Sequence, residues 1–197
     1  MNVKSVVGRR VAVAAGLVLA LGCGVSAQAS ASGARTATGK APAAVTHHAA
    51  AKAAVATCSQ KELGVSSVKE RDARHLVLTV QNASDKKCNL YRYPLVRIGA
   101  GTRNTPVIKE SDGTPGVPVT LAPGQEAYAA LLVAGGARDE YEARSITLNL
   151  QGSKPGSTAG TSIDVPLPVR KLYADDGQLV TYWTTASGFA LDFIMSK

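Results

Sequence analysis

Ser66-Ser67-Val68-Lys69 has the Ser-x-x-Lys spacing in which a lysine can activate a serine nucleophile. That chemistry needs both side chains on one helical face, together with Ser-Asp-Asn and Lys-Thr-Gly elements. The stretch reads as a strand and neither partner element is present, so chance is the better account. A Ser-His-Asp arrangement would have to use His75, since the other two histidines, His47 and His48, precede the folded region. No Gly-x-Ser-x-Gly elbow accompanies it. His75 is also expected in solvent, on the strand face opposite Leu76 and Leu78. Adjacent His47 and His48 make a poor metal site without further ligands. Asp175-Asp176-Gly177 lacks the remaining oxygen ligands of a calcium loop and suits a hairpin turn. Asn82-Ala83-Ser84 has glycosylation spacing but a bacterial-type context, and the mixed charges from Arg138 to Arg144 read as a solvated loop. These stretches yield no catalytic residue, metal ligand or cofactor site, so a non-enzymatic chain is expected.

Two residue classes keep functional interest. Tyr91, Arg92, Tyr93, Tyr182 and Trp183 form the candidate binding surface, because exposed Tyr, Trp and Arg are the usual anchors for a protein or glycan partner. Against this, aromatic residues in a small β domain commonly fill the core or tuck a polar tip into a corner. The three cysteines are Cys23, Cys58 and Cys88. What they do depends on where the chain is sent.

Lys4, Arg9 and Arg10 precede the uncharged run Val11 to Ala27, which ends in small residues. This is the pattern of a secretory signal peptide, with cleavage expected after Ala27 or Ala29. The apolar run is shorter than the ~20 residues of a membrane span. Ala20-Leu21-Gly22-Cys23 loosely resembles a lipobox, so the alternative is a lipid on Cys23 anchoring the chain to the outer face of the membrane. Either route removes or consumes Cys23. In an oxidising compartment the remaining Cys58 and Cys88 are expected to pair.

Residues 28–57 contain 13 alanines and no aromatic residue, too little apolar bulk to offset ordering entropy, and are expected to be a disordered tether. The net charge of +8 comes mostly from before Cys58. From Cys58 onward, 16 Lys and Arg face 14 Asp and Glu, a net of +2. No basic stripe remains to read nucleic acid.

Residues 58–197 provide enough chain for one core. Period-2 alternation marks His75–Asn82, Arg144–Leu150 and Gly188–Lys197 as half-buried strands, and Glu126–Ala134 as a strand buried on both faces. Turn clusters separate them at Asn82–Asp85, Ser111–Gly116, Ala122–Gly124 and Asp175–Gly177. This spacing predicts an all-β fold, an antiparallel immunoglobulin-like β-sandwich of about eight strands.

Cys88-x-Leu90-x-x-Tyr93-Pro94-x-Val96, followed by Leu121-x-Pro123-Gly124-x-x-Ala127, resembles the actinobacterial domain-of-unknown-function family 4232. Cys58-x4-Leu63-x-Val65 also fits its usual opening. The order and spacing of these motifs, from residue 58 to about 150, carry the resemblance. It implies an exported β-sandwich behind a signal and linker, and no activity. One position departs: the family usually has glycine before Tyr-Pro, and this chain has Arg92. Glycine there implies a bulge or a positive φ. Alternation would place Arg92 on the buried face with Cys88 and Leu90, so an outward-turning bulge or a strand break is expected. The function expected is an exported, non-catalytic binding module of the bacterial cell envelope, with an envelope protein or glycan as partner. An envelope enzyme of unrecognised type and a lipid-anchored structural protein are the alternatives.

Overall fold

The computed structural model describes residues 54–136 and 138–197. The expected signal peptide, Cys23 and most of the alanine-rich tether lie outside them. The described chain is all-β with one short helix: β1 (Ala56–Thr57), β2 (Leu63–Lys69), β3 (His75–Asn82), β4 (Cys88–Ile98), β5 (Val119–Leu121), β6 (Glu126–Leu132), β7 (Tyr141–Ala143), β8 (Ile146–Gln151), β9 (Thr158–Val165), β10 (Leu172–Ala174), β11 (Leu179–Val180) and α1 (Ser187–Asp192). Eleven strands replace the expected eight because five are pairings of only two or three residues. β1 takes in two residues of the stretch read as tether.

One sheet has the order β1-β4-β8-β9, with β5 also on β4; a second runs β11-β6-β3-β2; β10 and β7 form a separate ribbon. Pairing is antiparallel except that β1 runs parallel to β4, with Ala56 opposite Cys88. The two larger sheets share one core. Leu76, Leu78 and Val80 of β3 and Leu131 of β6 meet Leu90, Val96 and Ile98 of β4 and Leu148 and Leu150 of β8. The corner between β5 and β6 is Ala122-Pro123-Gly124-Gln125. The Gln125 N–H donates to the Ala122 carbonyl (3.0 Å), and Gly124 has φ 75°. Proline followed by glycine is what a type II turn requires. It carries the chain from one sheet to the other with Leu121 and Ala127 both fully buried.

Cys58 and Cys88 form a disulfide with an S–S distance of 2.04 Å. It fastens the start of the domain to the first residue of β4, where β1 also pairs. The Cys58 N–H donates to the Asn89 carbonyl (3.0 Å). Replacing both cysteines by alanine should lower stability to chemical denaturation by about 3–4 kcal/mol, the loop-closure value for this separation. An unchanged midpoint would show that the link does not constrain the unfolded chain.

Four further expectations need correction. Gly188–Lys197 is not a strand: α1 occupies its first part, and Ala190 of α1 and Ile194 in the turn after it pack on Ile108, Ala130 and Leu132, at the outer face of the second sheet. For the same reason His75 is not solvated but 2% exposed. Its Nδ1 lies 2.8 Å from Asp72 Oδ1 and its Nε2 lies 3.1 Å from the Ile194 carbonyl. Asp175–Gly177 is a corner and not a hairpin, since β10 pairs with β7 while β11 pairs with β6. The Asp175 carboxylate accepts the N–H groups of Gly135 and Gly136, each at 2.9 Å, and of Gly177 at 2.8 Å. The loop expected from Arg138 to Arg144 contains β7, with Ala143 buried. Asn82 is fully buried, and its amide nitrogen donates to the Lys86 and Leu121 carbonyls, so it presents no glycosylation acceptor.

Both His75 nitrogens face acceptors, and only the doubly protonated ring can donate to both. Burial pushes the Asp72 carboxyl up, but hydrogen bonds from the His75 ring and from the Arg74 N–H, helped by the His75 charge, hold it below its ordinary value. A lowered carboxylate contributes stability above the ordinary carboxylate range and loses it as pH falls through the lowered value. A His75→Phe variant removes both ring bonds, so amide exchange in residues 190–197, corrected for intrinsic rates, should be faster than in the native chain; unchanged exchange would show that other contacts hold the Ile194 carbonyl.

Candidate functional site

Arg92 adopts the left-handed conformation, with φ 57°. Pairing between β4 and β8 jumps from Tyr91–Gln151 to Leu95–Asn149, so four steps on β4 match two on β8. The bulge therefore holds two extra residues. An even number preserves the alternation, and Pro94, Val96 and Ile98 remain on the buried face that Cys88 and Leu90 begin. Only Arg92 is turned out. Its Nη1 donates to the Gly152 carbonyl and its Nη2 to the Ser153 carbonyl, both at 2.9 Å. The backbone groups freed by the bulge find partners too. The Trp183 N–H donates to the Arg92 carbonyl (3.0 Å), and Gln151 Nε2 donates to the Tyr93 carbonyl (2.8 Å).

The contact at Trp183 brings the second half of the candidate surface to the first. The run from Leu179 to Thr184 pairs with β6 through Leu179, Val180 and Thr184, and reaches β4 through Trp183. Tyr91, Arg92, Tyr182 and Trp183 consequently line one cavity of about 100 Å³. Tyr93 does not line it. Its ring meets the Tyr182 ring edge to face, with centroids 5.1 Å apart. The five residues form no exposed patch: Trp183 is 5% exposed, and the other four are half-buried.

The opposite wall comes from residues that the sequence marks only as turn. Ser111 is buried; its hydroxyl donates to the Ile108 carbonyl (2.6 Å) and accepts the Tyr182 N–H (2.9 Å). This sets Tyr182 beside the next residue, Asp112, whose carboxylate accepts the Thr114 N–H (3.3 Å). Thr114, Gly116 with φ 78°, Val117, Pro118 and Val119 complete the wall, with Ser153 on the far side. The density of Ser, Asp, Gly, Thr and Pro was visible, but nothing in it says that the loop folds over Tyr182.

Burial raises the pKa of the Tyr182 hydroxyl, the negative character of Asp112 and Tyr93 adds to this, and Arg92 partly offsets it. The phenol stays protonated and can donate. Trp183 Nε1 is buried and, among the described residues, has no hydrogen-bond acceptor. The cavity is lined by residues that carry a guanidinium, a carboxylate, hydroxyls and an indole ring.

The family model described as domain of unknown function (DUF4232) matches residues 58–184. The chain belongs to this family. The match begins at the disulfide cysteine, ends one residue after Trp183 and includes every residue of the cavity, whereas α1 lies beyond it. No curated protein and no solved structure matches the chain. Among the described residues no cluster of three or more His, Cys, Asp or Glu could hold a metal ion, and no helix is long and apolar enough to cross a membrane. Ser66 and Lys69 lie on β2 as expected, three residues apart on a strand and so on opposite faces. His75 lies with Asp72 and α1, on elements that contribute nothing to the cavity.

Arg92→Ala should lose two charge-assisted hydrogen bonds while keeping the left-handed strain, and destabilise by about 1–3 kcal/mol. Arg92→Gly relieves the strain, so it should be more stable than the alanine variant by about 1 kcal/mol. Equal midpoints for the two variants would show that the backbone at residue 92 carries no conformational cost.

Proposed function

We propose that this chain is an exported, non-catalytic binding module of the bacterial cell envelope, and that it engages its partner through the cavity between Arg92 and Trp183. The observation that carries this reading is the cavity that gathers Tyr91, Arg92, Asp112, Tyr182 and Trp183 on one lining. The surrounding aromatic and polar side chains resemble the usual lining of a recognition site, an apolar wall with a few placed polar groups.

Export is supported by the basic, apolar and small-residue sequence of the leader and by a disulfide of the kind that persists in oxidising compartments. Free secretion is preferred to a lipid on Cys23, because the small-residue cleavage signal is the better match. An immunoglobulin-like sandwich is the architecture this reading adopts. Its support is two sheets sharing one core, with mostly antiparallel pairing.

Trp183 is the only tryptophan, so its emission reports on the cavity directly. Titrating the full chain with soluble glycan and peptide fragments released from bacterial envelopes should shift that emission saturably, with a weaker response in Asp112→Ala. Emission that no fragment changes would refute the binding reading.

A further inference from the structure

A wider hollow of about 320 Å³ adjoins the cavity, and the two share Thr114, Val117, Pro118, Val119 and Trp183 as common walls. Together their linings select among ligand classes. Charge is the first filter. Arg92 has already committed one N–H of each terminal nitrogen to the Gly152 and Ser153 carbonyls, and the Asp112 carboxylate stands across the same cavity. An anion would meet Asp112 and a cation would meet Arg92, so a neutral ligand is favoured.

Hydrogen-bond type is the second filter. The Arg92 guanidinium can only donate, the Asp112 carboxylate can only accept, and the protonated Tyr182 hydroxyl can do both. Thr114, Thr120, Thr184 and Thr185 continue the hydroxyl-bearing wall into the wider hollow. A hydroxyl group donates and accepts at one oxygen, so a ligand rich in hydroxyls can satisfy all of these groups at once. The third filter is apolar. Val117 is 64% exposed and Phe189 40% exposed, and both border the wider hollow. They offer C–H and ring surface to the apolar face of a sugar ring.

An extended peptide is the competing occupant, because β5 is paired with β4 and, among the described residues, no strand lies on its other side. Strand addition needs main-chain donors along that edge. Pro118 has no N–H, and the Val117 N–H is taken by the Thr114 carbonyl (3.0 Å). A three-residue edge led in by proline is protected against pairing.

We infer that the adjoining hollows from Arg92 to Phe189 bind a neutral saccharide, with hydroxyls on Arg92, Tyr182 and Asp112 and a ring face on Val117 and Phe189. This rests on the binding reading above. The single tryptophan gives one indole N–H resonance, so the test is direct. The ¹⁵N-labelled full chain is titrated separately with neutral gluco-, manno-, galacto- and arabino-oligosaccharides, with sulfated oligosaccharides and with short extended peptides. At least one neutral series should move the indole resonance saturably. Asp112→Asn should weaken that binding about tenfold, the loss of one charge-assisted hydrogen bond, while resonances of β9 stay in place. Movement by peptides or sulfated sugars and by no neutral series overturns the saccharide assignment and leaves the binding reading standing. An indole resonance that none of the three ligand classes moves overturns both.

Discussion

A guanidinium cannot remain on the buried face of a strand that runs through the middle of a sheet, and the treatment of Arg92 sets much of what surrounds it. A one-residue bulge would have turned Arg92 out, but it would also have rotated Val96 and Ile98 away from the core. Two extra residues remove the arginine and keep both. The left-handed φ of 57° comes with that choice, because the chain must reverse its local twist to absorb them. It aims the Arg92 carbonyl at the Trp183 N–H and the guanidinium at the loop after β8. The cavity is therefore a by-product of keeping β4 in register, and its position is fixed by backbone geometry before any side chain of the wall is considered.

The C-terminal run makes the same point from the other sheet. Leu179, Val180 and Thr184 bond to β6 in the second sheet, while Trp183 between them bonds to β4 in the first. This segment stitches the sheets together at their centre, and the family match ends where the stitching ends. Beyond that point α1 covers the otherwise apolar outer face at Ala130 and Leu132 and is fastened at its far end through His75. Phe189 of α1 borders the wider hollow beside the cavity, so the helix beyond the family match adds to walls that otherwise lie within it.

The strands were legible because burial of one face is written directly as period-2 alternation, as in β8, although β3, with the same rhythm, is also buried on its other face at His75 and Val77. The type II corner at Pro123-Gly124 was legible because only those residue types suit its dihedrals. The bulge was legible as an inconsistency, an arginine at a position that alternation assigns to the core. The helix was not. Phe189, Leu191, Phe193 and Met195 alternate by accident, and Phe189 and Met195 are each 40% exposed. The residues buried here, Ala190 of α1 and Ile194 in the turn just after it, are four apart, a helical spacing hidden under the louder aromatic signal. His75 was misplaced for the same reason, since its burial is created by a contact with residue 194 that no local pattern encodes. The far wall of the cavity stayed hidden because turn-forming residues specify a change of direction and not what the turn will cover.

The unpaired indole of Trp183 separates a packing role from a recognition role for this corner. If the corner existed only to close the core, a ring without a donor would fill it at no polar cost, as Leu121 and Leu131 do elsewhere in the core. An unsatisfied donor costing about 1–3 kcal/mol is a substantial loss for a fold whose total stability is of the order of 5–15 kcal/mol. Arg92 and Trp183 line the same cavity, tied to each other by the bond from the Trp183 N–H to the Arg92 carbonyl, while the guanidinium is satisfied by the Gly152 and Ser153 carbonyls. Among the described residues the indole N–H is then the one buried side-chain donor that packing alone does not account for.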